Sequence, residues 1–126
     1  MKDARTYGLT HIALTVKDIH QTLRFYQHIF DMEVMYQHEN FLQLTTPGCQ
    51  DILVFETGTE AIANGTGSIK HFGFRLKDPQ DITYMENKVR EAGGIITGKG
   101  EFIPGSPYIF FKDPDGYEIE IWYELV

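Results

Sequence analysis

Lys70-His71-Phe72-Gly73-Phe74-Arg75-Leu76-Lys77-Asp78 repeats the stretch Thr10-His11-Ile12-Ala13-Leu14-Thr15-Val16-Lys17-Asp18 at a constant offset of 60 residues. His matches His, the small Ala13 matches Gly73, and both stretches close on Lys-Asp. In the first, Ile12, Leu14 and Val16 alternate with His11, Ala13 and Thr15; in the second, Phe72, Phe74 and Leu76 alternate with His71, Gly73 and Arg75. A period of two marks a strand with one buried face. Its recurrence so much later in the chain means that one supersecondary unit is used twice.

Outward from these strands, each stretch runs into a helix. Asp18 is placed as an N-cap, and Ile19, Leu23, Tyr26 and Phe30 recur at helical spacing, so a helix is predicted over about 19–30. Asp78 caps a second helix with Pro79 at its first position, Ile82, Met85, Val89 and Ala92 as its apolar stripe and Gly93-Gly94 as its stop. Strand-like runs at about 32–38, 41–45 and 51–56 follow the first helix, and runs at about 95–97, 107–112 and 117–124 follow the second. Residues 57–68, with Gly58, Gly65 and Gly67, have no periodicity and read as a linker or a loop over a site. The expected fold is therefore α+β: a single domain over 1–126 of two βαβββ modules in tandem, about 8–56 and 69–126. A unit this small cannot bury its own sheet, so the two are expected to form a curved eight-stranded sheet around a metal-bearing cavity.

The metal enters through the last hairpin. Asp113-Pro114-Asp115-Gly116 reads as a tight turn. In the strand after it Ile119, Ile121 and Tyr123 share one face, and Glu118, Glu120 and Trp122 share the other. A carboxylate on a closed-in face must protonate, find a cation or bind a metal, because an unpaired buried charge costs several kcal/mol. His11 and His71, opposite the helix-packing residues of their strands, face the same way as Glu120. Two imidazoles and one carboxylate make a three-ligand set that leaves positions open for substrate or water, whereas a structural zinc wants four closed ligands. His20, His28 and His38 read as surface residues.

Composition narrows the class further. A 126-residue chain that is 42% hydrophobic and 13% aromatic can build a core without staples. The net charge of −7 argues against nucleic acid as a partner. The N-terminal residues lack a signal peptide's apolar core and no apolar stretch nears a membrane span, so no membrane partner and a cytoplasmic location are expected. Cys49, the sole cysteine, reads as an inert thiol in a turn beside Pro47-Gly48.

Taken together, Thr10 to Asp18 running into Phe25-Tyr26, Lys70 to Phe74, and Asp113 to Glu120 resemble the vicinal-oxygen-chelate superfamily over residues 8–124. That superfamily includes glyoxalase I, extradiol dioxygenases, fosfomycin-resistance transferases and bleomycin-resistance proteins. The resemblance implies His11, His71 and Glu120 as ligands of one divalent ion, with Fe, Mn, Ni, Zn and Co all open. It also implies a homodimer, in some relatives with the site shared between chains; open strand edges argue for a dimer too. Two departures bear on the reaction. Aligning Leu44-Thr45-Thr46-Pro47 with Phe111-Lys112-Asp113-Pro114 puts Val54, which cannot coordinate, where glyoxalase I has a fourth ligand. Phe110 stands where extradiol dioxygenases place a catalytic Tyr. Glu120 itself, Glu56 or Tyr108 are left as candidate proton carriers. Phe41, Ile52, Val54, Phe110 and Trp122 are expected as cavity walls around a small organic substrate, with Gln43, Tyr108 and Arg75 as polar handles. The expected activity is a metal-dependent lyase or isomerase; a ring-cleaving dioxygenase and a non-catalytic, bleomycin-resistance-type binder are the alternatives.

Overall fold

The computed structural model describes residues 3–58 and 69–124. The first module runs β1 (His11–Val16), α1 (Ile19–Phe30), β2 (Glu33–His38), β3 (Phe41–Thr45) and β4 (Ile52–Thr57). The second runs β5 (Phe72–Arg75), a 3-10 turn (Pro79–Asp81), α2 (Ile82–Glu91), β6 (Ile95–Glu101), β7 (Pro107–Lys112) and β8 (Glu118–Trp122). The eight strands divide into two four-stranded sheets of identical topology, β1-β4-β3-β2 and β5-β8-β7-β6. In each, the first strand pairs parallel with the last and the other pairs are antiparallel.

Local signals largely set the element ends. Asp18 accepts hydrogen bonds from the backbone N–H of His20 and Gln21, and α1 stops at Asp31 in the left-handed region (φ 55). Asp78 caps the second helical segment as expected, but the first turn after it is 3-10, so α2 proper begins at Ile82. β6 reaches Glu101, four residues past the expected end, because its partner β7 supplies ladder bonds along that length. Thr57 belongs to β4, where its N–H bonds Asn40 O and its hydroxyl bonds Asn40 Oδ1. The rest of the expected linker, 59–68, lies outside the described residues.

The repeat alignment is visible in the ladder. Ala13 pairs with Val54 in the first sheet, and its counterpart Gly73 pairs with Glu120 in the second. Across the next strand, Gln43 pairs with Val54 and Phe110 with Glu120. Val54 and Glu120 are therefore structural equivalents.

One core serves both modules. Ring centroids of α1 meet both sheets: Tyr26 lies 5.0 Å from Phe55 of β4, Phe25 6.2 Å from Phe111 of β7 and Phe30 3.9 Å from Phe74 of β5. Leu14, Val16, Leu42, Phe55, Ile109, Phe111, Ile119 and Ile121 close the core at 3% exposure or less. Each such side chain stabilises the fold by roughly 1.5–3 kcal/mol through apolar burial. The alternate residues of β1 and β8, led by His11 and Glu120, are thereby left on the opposite faces.

The turn before β8 joins the modules with polar bonds. Asp113, buried, accepts from Tyr26 Oη at 2.8 Å and from the backbone N–H of Asp115 and Tyr117. Asp115 Oδ1 accepts from Lys17 N, and Tyr117 Oη both donates to Thr15 O and accepts from Thr15 N. Burial pushes the Asp113 carboxyl up to about 6, against the pull of its three donors.

Candidate metal centre

Glu120 sits mid-strand in β8, between β5 and β7, with its side chain only 12% exposed. Backbone spacing is tight there. A Cβ added at Gly73 would stand 3.0 Å from Glu120 O and 3.4 Å from Glu120 Cβ, so the missing side chain of Gly73 makes room for the β5–β8 approach. Burial raises the Glu120 carboxyl above its ordinary range, and the neighbouring His71 partly opposes that rise.

His71 lies one residue before β5, and its Nε2 is 3.6 Å from Glu120 Oε1. That is too long for a hydrogen bond. It matches the spacing of two donor atoms that each lie about 2.1 Å from one ion at a tetrahedral angle, roughly 3.4 Å. The Phe110 ring stands edge-on to the imidazole at 5.1 Å between centroids and walls that side. A largely enclosed carboxylate beside an imidazole, too far apart to hydrogen-bond each other, is a donor set that suits a divalent cation.

His11 opens β1 on the exposed side of the first sheet, opposite Ile52, with Nδ1 3.1 Å from Thr10 Oγ1. It lines a cleft with Ile52, Asp51, Phe72 and Gly73. Among the described residues no three His, Cys, Asp or Glu side chains come together closely enough to hold an ion. One chain thus brings together His71 and Glu120 but not His11.

The other expected site residues separate into groups. Trp122 shares with Glu120 a cavity of about 460 Å³, and Tyr108, which pairs with Trp122, stacks on Phe102 at 4.5 Å. Arg75 instead lines a groove at the module junction with Asp31 and Asp81. In the first module, Phe41 packs on Tyr36 and His38, Gln43 is half-buried, Val54 is buried, and Glu56 is exposed opposite Thr15 and Phe41. Cys49 is exposed. His28 is a surface residue as expected, paired with Glu91 at 2.8 Å. Sequence reading missed Phe102, Ile103 and Ser106 of the 460 Å³ cavity; two apolar residues directly before the turn Pro104-Gly105 were the available signal. Tyr123, expected on the inner face with Ile121, lines this cavity instead, because β8 ends at Trp122 and the alternation ends with it.

Among the described residues no helix is long and apolar enough to cross a membrane. A lactoylglutathione lyase of Arabidopsis thaliana is 28% identical over 95% of this chain, which spans 44% of that relative's length. The fold matches the crystal structure of the fosfomycin resistance protein FosX from Mesorhizobium loti with a TM-score of 0.78 and 21% identity, covering 96% of this chain and 95% of that one. It also matches a FosX variant from Listeria monocytogenes, solved with Mn(II) and dihydroxypropylphosphonic acid, with a TM-score of 0.73 and 23% identity over 92% and 89% of the two chains. The family model described as the Glyoxalase/Bleomycin resistance protein/Dioxygenase superfamily matches residues 8–121, the span that holds both repeats and the Glu120 hairpin, and the chain belongs to that superfamily.

Proposed function

We propose that this protein is a metal-dependent lyase or isomerase acting on a small organic substrate with neighbouring oxygens, and that one divalent ion is held by His71 and Glu120 of one copy and His11 of a second. The observation that carries this reading is the His71–Glu120 pair, 3.6 Å apart, with His11 at the repeat-equivalent position yet outside any three-ligand cluster among the described residues of its own chain. Bound there, the ion would polarise the substrate oxygens and stabilise developing negative charge. The chain's own side chains would do the rest. Phe110 walls the His71 side, and Glu120 or Glu56 would accept and return a proton, which Phe110 cannot do. The same asymmetry favours proton transfer over ring cleavage.

Complementation tests both halves of the proposal. His11→Ala and Glu120→Ala should each lower divalent-ion affinity at least about a hundredfold, since even outer residues of metal sites are worth 10–100-fold. Mixing and refolding the two variants should restore one intact site in each mixed dimer. Unchanged affinity in either variant refutes the ligand set, and a monomer that still binds the ion refutes the shared site.

A further inference from the structure

The cavity beside Glu120 has walls of one chemical kind. Phe102 and Ile103, 55% and 57% exposed, form one lip, with Trp122 and Tyr123 facing them. Tyr108 backs Phe102 in a near-parallel stack, 24° between planes. The charged residues lining the cavity are Glu120 and Glu124, and among the described residues no Lys, Arg or His lines it. Ser106, 2% exposed at the same wall, finds no hydrogen-bond partner for its Oγ among the described residues.

Exposed flat apolar rings offer stacking surface to another ring. With Glu120 taken up by the proposed ion, the Glu124 carboxylate is the charge left at the cavity wall; it repels an anion and leaves a neutral group unopposed. About 460 Å³ is within the usual range of small-molecule sites and has room for a substituted ring. We infer that this cavity is the specificity pocket of the enzyme and selects an uncharged aromatic group attached to the metal-chelating oxygens, excluding substrates whose tail is anionic. The inference rests on the proposed metal site for the position of the oxygens, and on the cavity alone for the ring and its charge. Phe102 and Ile103 are the specificity-determining residues.

Trp122 is the sole tryptophan, so its fluorescence reports this cavity directly. Catechol and 3,4-dihydroxybenzoate, which differ by one carboxylate, would be titrated with and without Mn(II), while Mn(II) binding is followed separately by calorimetry. Catechol should quench Trp122 and bind at least tenfold more tightly than the acid. Phe102→Ala should weaken catechol about tenfold with Mn(II) affinity unchanged, and Ile103→Arg should narrow or reverse the preference. Equal binding of the two probes, or normal catechol binding in Phe102→Ala, overturns the pocket even if the metal site stands. Loss of Mn(II) binding with the catechol preference retained in metal-free protein overturns the metal site and leaves the pocket supported.

Discussion

Where the last strand of each module meets the first, the chain carries Val54 against Ala13 and then Glu120 against Gly73. Topology, pairing and register are the same, so the backbone does not explain why an apolar residue fills this position in one module and a carboxylate fills it in the other. The side chains do. Val54 is an apolar residue 6% exposed, whereas Glu120 puts a carboxylate on a side chain 12% exposed, where an unpaired charge is costly. A duplicated unit can therefore exchange an apolar for an ionisable side chain at one equivalent position with no change of strand pairing. The turns before these strands diverge in parallel. In the first module Asp51 closes its own turn, accepting from Thr46 N, Thr46 Oγ1 and Thr45 Oγ1. In the second, the bonds of Asp113, Asp115 and Tyr117 cross to the other module.

The sharpest way to break this comparison is Val54→Glu. An unpaired carboxylate at that buried position should destabilise the protein by several kcal/mol without metal, and a divalent ion should recover more stability in the variant than in the parent. Thermal unfolding with and without Ni(II) reads both effects; an unchanged ion response would mean that the two positions are not functional equivalents.

The turn contrast predicts a pH dependence. Because the Asp113 carboxyl is raised to about 6 in the folded protein from an ordinary 3.8, the native state holds this proton more tightly than the unfolded chain does. Its contribution to stability is present at pH values below 3.8 and is lost as pH rises through about 6, by up to about 3 kcal/mol. Asp113→Asn keeps acceptors for Asp115 N and Tyr117 N and should flatten that slope in urea titrations between pH 4 and 7. A slope that survives the substitution would place its origin elsewhere.

The smallest effect tests the backbone contact. Gly73→Ala puts a Cβ 3.0 Å from Glu120 O and should cost about 1 kcal/mol by local overpacking, with a measurable loss of ion affinity as Glu120 shifts. The mirror change Ala13→Gly should cost about 0.5–1 kcal/mol through chain entropy alone and leave ion affinity intact. Equal effects on ion affinity would remove the distinction between the two positions.

Much of this was legible in the residues themselves. The offset-60 repeat, two helical stripes behind Asp caps and a Pro-Asp-Gly turn are local patterns, and period-two or period-3.6 burial follows from backbone geometry whatever the surroundings. That is why β1, α1, β3 and β7 fall where the sequence places them, and why the equivalence of Val54 and Glu120 could be read by counting. Tertiary structure alone decided the rest. Whether Phe102, Ile103 and Tyr123 border Glu120 depends on how a turn folds back over β8, and no periodicity encodes that. Which sheet faces Phe25, Phe30 and Tyr26 cover depends on α1 lying between both modules, and whether His11 meets His71 and Glu120 is likewise set by the packing of the modules; among the described residues the three do not cluster. Local sequence sets the face on which a side chain stands; long-range packing sets what that face meets.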